Sequence, residues 1–581
     1  MLNMTWNEQN HSASIADVLE GTVEEWYDQV DGLLKASDFI PGNYEYSVNV
    51  SYANAGEFHE GGQTHVDISC DRFKIISLDN SYLQLEMNIP VTIPAITDKA
   101  SHTAHRFKHY YIGFKSAFDV IDQYRIYSNS DLIQTQNHAN YESYLQYMAL
   151  SDSAKENSEL YATWDKIQAM NEDVPGVYVD VSSVSTNASP KLNIPLKLRI
   201  PLNQFLMFAN LKWFPGFFGK LTLEIYPSYK NLVVCPILDM LPEQVIIPTK
   251  VTSFTNGSEK QEVVPEAANV IKKSSFEAMI KDDTNLKDNT LGSNLVGFRQ
   301  INTPVLAGFY DKTADHSKVE AMGTFTCSES TTKKCHLRLA EAIVRMDIYN
   351  KVMSRFINQP MLFPIQSIIS TDFANKLPDT TEPFTCVTTN ALNHCNSMFV
   401  VFKKSNNDRT CFENPMIKWQ INIDGKYFPR EEYESHNDPR NMNLFLDATN
   451  FNGASLFSVP NDIYHSLQPY ITTIKCTDAG GTIAPTRTYS PKDRSNFAIA
   501  IPFCEDDTFQ AGMHSGGTVQ VELRGSRENA FLNMYNTTAP TALYVEDCIL
   551  KLRAVKPSGE AQISFTHATP EQLLSSAVIA N

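Results

Sequence analysis

The chain lacks a basic arm at either end and carries an excess of acidic side chains. Its 581 residues have a formal net charge of −18, and residues 1–40 hold eight acidic side chains but only one basic residue, Lys35. Proteins that coat nucleic acid need Lys and Arg to neutralise the phosphates. The composition therefore argues against extensive direct binding of nucleic acid by the surface of this chain.

Closely spaced cysteine pairs are also missing. The ten cysteines are scattered without a CxxC pair, so we expect mostly buried free thiols rather than disulfides or a metal site. The first residues lack a cationic region followed by an apolar run, and no stretch of about 18–20 uncharged apolar residues occurs. These absences predict a protein without a secretory signal or a transmembrane segment, made in a reducing compartment.

No catalytic motif stands out. The GxSxG elbow, the phosphate-binding loop and the GxGxxG turn are all absent. His102, His105 and His109 have the most metal-like spacing, but without a nearby carboxylate or cysteine they favour a solvated loop. The segment 59–65 predicts a turn, and the acids at 505–507 predict an ordinary loop at a strand end. We therefore predict no catalytic residue, no cofactor and no metal, and hence no enzyme.

What the chain does have is strict alternation of apolar and polar side chains. In the first half, Leu83, Leu85, Met87, Ile89 and Val91 are separated by single residues that are mostly polar. The same pattern recurs at 192–202, 417–423, 497–503 and 519–523. Side chains on a strand point to opposite faces in turn, so each segment has one buried and one wet face. The sequence predicts an all-β fold with helical insertions, built from tandem β-sandwiches.

The order of the patterns predicts four regions. Residues 1–40 form an acidic helical arm, 41–350 a first sandwich, 351–557 a second sandwich and 558–581 a carboxyl-terminal tail. Within the first sandwich, 140–170 predicts a helical insertion. Residues 255–334 are polar and weakly periodic, which predicts a surface excursion.

Three local features mark the boundary between the sandwiches and the start of the second. His336–Asp347 is apolar with an irregular phase, which predicts a strand with a bulge. A short helix at Tyr349–Ile357 is expected to bridge to the second series. Asp424 and Gly425 predict a tight hairpin, because both tolerate the positive φ angles that such a turn requires.

Residues 15–34 form the clearest amphipathic helix in the sequence. Its polar positions are mostly acidic, which disfavours binding to anionic membranes. Two interpretations stay open: the helix packs on its own domain, or it is an exposed arm that grips a partner. The candidate partner-binding residues recur at helical spacing and are Ile15, Val18, Leu19, Val23, Trp26 and Val30.

An ordered set of motifs resembles a known family. The second series restarts at 359–364 (QPMLFP), continues at 399–402 (FVVF) and reaches 417–429 (IKWQINIDGKYFP). This order is similar to the second jelly roll of the double jelly-roll major capsid proteins of eukaryotic double-stranded DNA viruses. In the first half, 111–126 and the helix after Asn137 resemble the Polinton/Maverick and virophage branch of that family. Residues 217–225 (FFGKLTLEI) would be a late strand of the first roll.

The resemblance implies a fold and a function. Two tandem jelly-roll sandwiches would form one subunit, and a homotrimer would form a pseudo-hexagonal capsomer of an icosahedral virion shell. Neighbouring capsomers, penton proteins and other minor capsid proteins would be its partners. The segments 255–334 and 430–496 are candidates for outer towers or clasps, and the acidic helix is a candidate for the inner face of the shell.

Two other classes remain as alternatives. A β-sandwich carbohydrate-binding protein or glycoside hydrolase would need paired carboxylates or exposed aromatic platforms in a cleft. The chain has only five Trp, and Trp419 lies on the apolar phase of its strand, which predicts a core position. A monomeric scaffold protein without self-assembly is the third class, and its mass in solution would distinguish it from a capsid protein.

Overall fold

The protein is described by a computed structural model. The residues that it describes are 44–53, 58–69, 74–94, 109–128, 130–163, 166–167, 174–181, 189–209, 213–216, 220–237, 298–306, 321–344, 361–392, 395–403, 409–412, 414–415, 417–435, 438, 440–449, 470–473, 486–489, 496–503, 513, 515, 517–527, 538–554 and 561–566. The predicted helices at 15–34 and at Tyr349–Ile357 lie outside these residues, as do 255–297 and 307–320 of the predicted excursion.

Strands make up most of the described chain. The first series is β1 (Tyr44–Tyr52), β2 (Phe58–His59), β3 (Thr64–Ile68), β4 (Lys74–Thr92), β5 (His109–Gly113), β6 (Ile121–Ser128), β7 (Asp131–Asn137), β8 (Gly176–Asp180), β9 (Lys191–Pro201), β10 (Trp213–Pro215), β11 (Leu221–Pro227), β12 (Val233–Ile237), β13 (Arg299–Gln300), β14 (Pro304–Leu306), β15 (Ala321–Thr324) and β16 (Thr331–Val344). Helices α1 (Ala139–Ala149) and α2 (Asp152–Glu156) interrupt this series after β7.

The second series has the same character. It comprises β17 (Met361–Asp372), β18 (Phe384–Ala391), β19 (Cys395–Val401), β20 (Ile417–Ile423), β21 (Lys426–Glu434), β22 (Tyr470–Thr473), β23 (Thr486–Tyr489), β24 (Ala498–Pro502), β25 (Thr518–Arg527), β26 (Thr541–Ala554) and β27 (Ala561–Thr566). Helix α3 (Arg440–Thr449) follows β21, as α1 follows β7. In each series, therefore, a helix follows a strand near the middle of the series.

The first series forms two facing sheets with a distinctive strand order. One sheet runs β1-β16-β4, with β9 and β10 in line along the far side of β4. The other runs β3-β11-β6-β7. With β9 and β10 counted together as one strand, lettering the resulting eight strands B to I in chain order gives the sheets B-I-D-G and C-H-E-F. This interleaving of two four-stranded sheets is the jelly roll.

The second series repeats that order strand for strand. Its sheets are β17-β26-β19-β24 and β18-β25-β20-β21, again B-I-D-G and C-H-E-F. Strand β27 is added to the end of β26 and falls within the predicted tail at 558–581. The prediction of two tandem jelly-roll sandwiches is confirmed by this topology.

Alternation in the sequence becomes burial in the sheets. Leu83, Leu85 and Met87 of β4 are buried, while the residues between them are half-buried. In the pairing of β4 with β9, Leu83 lies opposite Ile200 and Leu85 opposite Leu198, so both strands turn the same face to the core. In the second roll, buried and half-buried residues alternate in the same way along the start of β20. Trp419 lies on the buried face of this strand, and its side chain is fully buried as predicted.

Two predicted local features are confirmed. The pairing of β16 with β4 shifts register twice, between Thr332 and Lys334 and between Arg338 and Ala340, which gives the expected irregularity. At the hairpin between β20 and β21, Asp424 has φ 48° and Gly425 has φ 82°. Both central residues thus occupy the left-handed region that a two-residue hairpin requires.

Loops of the first roll build a further sheet. Its order is β13-β12-β5-β8, with strands from the D–E, F–G and H–I connections. Strands β5 and β8 approach so closely that a Cβ on Gly113 would lie 2.4 Å from the Cα of Gly176. Glycine is therefore needed at this crossing. Parts of three long connections of the first roll therefore form this additional sheet.

Two predicted segments take a more detailed form in the described residues. In the described part of the helical insertion expected at 140–170, α1 and α2 come first, and Tyr161 then forms a β-bridge with Ser116. The connecting stretch predicted from residue 430 begins inside β21, so its first residues belong to a strand of the roll. Strand β21 is mostly exposed and charged because it is an edge strand, and it therefore lacks the alternation of a half-buried strand.

Candidate functional site: the seam between the two rolls

Helix α1 lies between the two rolls. All eleven of its residues are buried, including Asn140, Glu142 and Gln146. A helix with tyrosines at 141, 144 and 147 is apolar or aromatic on several sides and needs cover all round. The first roll contacts it through β6 and the 3-10 turn Ala117–Val120, and the second roll contacts it through α3. This helix and its partners define the seam between the rolls.

An aromatic cluster joins α1 to the second roll. The ring of Phe412 packs edge-on against Tyr144, with ring centroids 4.8 Å apart, and is stacked with Tyr141 at 6.1 Å. The Tyr144 hydroxyl donates to the backbone carbonyl of Asn496 at 2.9 Å. Because these rings are buried and their polar ends are paired, the cluster fixes the helix on the second roll.

An ion-pair network lies at the edge of the same seam. Asp122 at the start of β6 pairs with the guanidinium of Arg409 from the second roll, and Lys230 Nζ lies 3.1 Å from Asp122 Oδ2. The Arg409 backbone is held as well, since its N–H donates to Gln300 Oε1 and its carbonyl accepts from Asn140 Nδ2. Charged hydrogen bonds of this kind add directional specificity to apolar packing.

A buried lysine spans the seam on its inner side. Lys115 is buried, and its ammonium donates to Asn496 Oδ1 and lies 3.4 Å from the Thr410 carbonyl of the second roll. Nearby Asp119 caps a 3-10 turn by accepting from the Ser116 N–H at 3.0 Å. Burial raises the pKa of Asp119 to about 7, although the hydrogen bonds from Ser143 and Ser116 and the charge of Lys115 oppose that rise.

A second buried acid, Glu142 of α1 itself, holds the helix against the first roll. The Tyr124 hydroxyl donates to Glu142 Oε2 at 2.9 Å and accepts from the Leu206 N–H at 3.2 Å. Burial raises the pKa of Glu142 well above its usual value. Both buried acids belong to hydrogen-bond networks that position α1, which favours a structural role for them.

The seam extends along the strands. Gln136 Nε2 at the end of β7 donates to the Ile368 carbonyl of β17 at 3.0 Å, and β7 also contacts β27. Tyr141 of α1 forms a side-chain hydrogen bond with Thr541 at the start of β26. The F strand and following helix of the first roll thus lie against the B and I strands of the second roll.

Most residues singled out from the sequence do not take part in this seam. Ile15, Val18, Leu19, Val23, Trp26 and Val30 lie outside the described residues, as do His102, His105 and the acids at 505–507. In the segment 59–65, the predicted turn is present, and Glu60 accepts from the hydroxyls of Ser228 and Ser330. The Glu60 carboxylate therefore links the turn to the segments that contain Ser228 and Ser330.

Sequence patterns did not single out the residues that hold the seam. The helical spacing of Tyr141 and Tyr144 predicted a helix, but nothing in the sequence pointed to Phe412 or Asn496 as its partners. Asp122 and Arg409 are 287 positions apart, so their pairing depends on the folded arrangement. An invariant aromatic or charged position in related chains would have been the signal for them.

Chemistry of other kinds finds little support in the part of the chain that the structure describes. No group of three or more His, Cys, Asp or Glu is placed there to hold a metal ion. No described helix combines the length and apolar character needed to cross a membrane. The seven described cysteines are all buried thiols.

Two eight-stranded rolls of identical strand order, joined by a buried seam, define a double jelly-roll protein. Neither a family model nor a curated protein matches the chain. Its fold assignment therefore rests on its own strand order and seam.

Several solved structures are similar to it over most of their length. The cryo-EM structure of the Sputnik virophage matches with 12% identity and a TM-score of 0.43, over 92% of this chain and 90% of that chain. The crystal structure of the mavirus major capsid protein matches with 13% identity and a TM-score of 0.44, over 91% and 92%. The Faustovirus major capsid protein matches with 9% identity and a TM-score of 0.36, over 92% and 98%.

Proposed function

We propose that this chain is a major capsid protein of the Polinton/Maverick and virophage type. Three copies would form a pseudo-hexagonal capsomer, and capsomers would assemble the icosahedral shell of a double-stranded DNA virus or a virus-like mobile element. The observation that carries this proposal is the repetition of one jelly roll, strand for strand, within a chain whose two rolls are locked side by side. Three such chains supply six similar rolls, which is the requirement for a hexagonal outline from a trimer.

The sheet edges and long connections suit such an assembly. Edge strands left open in one subunit need cover, and neighbouring subunits in a closed shell provide it. The folded loop sheet β13-β12-β5-β8 and the connection after α3 are candidates for surface towers or for clasps between capsomers. The net charge of −18 fits a shell protein that makes little direct contact with the packaged DNA.

The proposed partners follow from this role. Neighbouring capsomers, penton proteins and other minor capsid proteins would contact the subunit, and the virion would be its final location after assembly in the host cytoplasm or nucleus. The acidic helix with Ile15, Val18, Leu19, Val23, Trp26 and Val30 is proposed as the segment that binds a partner on the inner face.

Imaging of the purified protein tests the proposal. We expect negative-stain electron microscopy to show particles of hexagonal outline, or closed shells, formed by the chain alone. A parallel glycan-binding assay should be negative. Compact single-chain particles that bind glycans would contradict the capsid role and support the carbohydrate-binding alternative.

A further inference from the structure

A lysine of the first roll and an asparagine of the second roll meet inside the seam. Lys115 follows β5 and Asn496 precedes β24, and the two residues are 381 positions apart. The Lys115 Nζ donates a hydrogen bond to Asn496 Oδ1. Lys115 is only 5% exposed, and Asn496 is fully buried. The amine therefore lies next to the carbonyl carbon of a side-chain amide, Asn496 Cγ, at a place with little access for water.

The backbone on both sides of this contact is held in place. The Tyr144 hydroxyl donates to the Asn496 carbonyl at 2.9 Å, and Asn496 forms a parallel β-bridge with Phe412. On the other side, the Lys115 carbonyl accepts from the Ala162 N–H at 2.7 Å. Groups that a fold holds together react as though at a very high concentration, because little further freedom is lost when they combine. The seam thus presents the amine and the amide as a prearranged pair.

Aromatic rings also lie around the amine. The Lys115 Nζ is 5.4 Å from the centroid of the Phe298 ring and 5.8 Å from that of Tyr147. A polar neighbour, the Thr410 carbonyl of the second roll, lies at 3.4 Å. Removal from water in an apolar site is one of the ways in which proteins activate a lysine as a nucleophile. The surroundings of Lys115 are of this kind.

A buried carboxyl group lies on the adjoining turn. Asp119 belongs to the 3-10 turn that begins two residues after Lys115, and it accepts from the N–H of Ser116 at 3.0 Å. Burial raises the pKa of Asp119 to about 7, and the charge of Lys115 opposes that rise, so the two side chains interact. A carboxyl group that is partly protonated near neutral pH can both accept and donate protons.

We propose that Lys115 and Asn496 form an isopeptide bond that joins the two rolls covalently. Lys115 gives one proton to Asp119, and the lone pair of Nζ forms a bond to Asn496 Cγ. The Cγ–Nδ2 bond then breaks, and its electron pair leaves with the nitrogen. Asp119 passes its proton to the departing Nδ2 and takes up the extra proton from Nζ. The products are one amide cross-link and one molecule of ammonia, so the step balances without an oxidant, a cofactor or a metal.

The bond ties the loop after β5 to the segment before β24. It keeps the rolls joined even when the aromatic contacts of α1 open. Unlike the ion pair between Asp122 and Arg409, it does not weaken as the salt concentration rises. The cross-link forms within a single chain, so it is independent of the proposed function.

Mass spectrometry of the full chain, purified folded and then denatured, tests the proposal. We expect the intact mass to be lower than the mass of the sequence by one molecule of ammonia. Digestion with trypsin should release a branched peptide in which residues 109–125, left uncut after Lys115, are joined to residues 495–524. Fragmentation of that peptide should place the branch at Lys115 and Asn496.

Three variants assign the roles of the residues. Lys115→Arg keeps a cation but offers no amine nucleophile, Asn496→Ser removes the amide, and Asp119→Asn removes the proton acceptor. The control is Lys403→Arg, at a buried lysine whose Nζ pairs with the Asp372 carboxylate at 3.0 Å. Thermal unfolding checks that each variant is folded.

We expect Lys115→Arg and Asn496→Ser to have the full mass of their sequences and no branched peptide, whereas Lys403→Arg should retain it. In freshly made protein, Asp119→Asn should lower the cross-linked fraction at least about tenfold. An unchanged fraction would overturn the role of Asp119 in the step. An unmodified chain that has its full sequence mass, or that loses ammonia without this branched peptide, would overturn the isopeptide bond, and that result does not depend on the folding of any variant.

Discussion

Gly525 occupies a position in the second roll that no larger residue fits. It lies on β25 opposite Trp419 of β20, and a Cβ added there would lie 1.8 Å from the Lys418 carbonyl oxygen. Gly525→Ala should therefore force β20 and β25 apart and lower the free energy of unfolding by about 3 kcal/mol. Gly517→Ala is the matched control, since no atom lies within 4 Å of its added Cβ. Equal melting temperatures of the two variants would contradict this interpretation.

Asp119 should make the stability of the protein depend on pH. Burial raises its pKa to about 7, while an unfolded chain has an Asp pKa near about 4. Between those values the folded state holds the proton and the unfolded state does not. This contribution to stability is complete below about pH 4 and is lost as the pH rises through about 7.

Asp119→Asn should remove that component, because an amide does not ionise. The unmodified chain should lose up to about 4 kcal/mol of stability through this group from pH 4 to pH 8, and the variant should lose less. Melting temperatures measured across that range check the difference. Asp131→Asn, at an exposed position in β7, is the control. Parallel pH profiles for Asp119→Asn and the unmodified chain would refute the prediction.

At the scale of elements, α1 and its aromatic partner hold the two rolls together. Phe412→Ala removes the ring that contacts Tyr141 and Tyr144, so we expect a loss of about 3–5 kcal/mol and unfolding of the rolls in separate steps. Differential scanning calorimetry should show two transitions in place of one. Phe384→Ala, in the core of the second roll, should lower the melting temperature of that roll without splitting the unfolding transition to a comparable extent. A single transition with Phe412→Ala would argue against the seam as the lock.

Individual strands could be predicted from the sequence more readily than their partners. Alternation identified β4, β9 and β20, because one face of each is buried and the other is not. It missed β21, whose charges suit an exposed edge strand. The pairing of β1 with β16 joins residues almost 300 positions apart, and no local pattern encodes such a contact. The ordered motifs predicted the roll only because they resemble a family.

Local sequence patterns could not predict the seam, for the same reason. Lys115 and Asp119 are polar residues in a loop by sequence, and only the folded arrangement buries them against Thr410 and Asn496. The helical spacing after Asn137 predicted α1 but not that it would be covered on every side. Residues that join two domains show no periodicity of their own, since their partners lie in a different part of the chain.

At the scale of the whole molecule, the two rolls are equivalent in topology but unequal in surface. Helix α3 packs on β24 and β19 in the B-I-D-G sheet of the second roll, whereas β9 in the corresponding sheet of the first roll exposes alternate side chains. A monomeric scaffold would have little reason to keep Tyr52 exposed beside arginines, whereas a self-assembling subunit uses such a face. The inequality therefore favours assembly over a solitary role.

The most direct test of the capsid account is the mass of the purified chain in solution. Light scattering after size-exclusion chromatography, at micromolar concentration and moderate salt, should give three times the 65.4 kDa of one chain, or the mass of a larger shell built from such trimers. A single species of 65.4 kDa that persists on concentration would contradict the account.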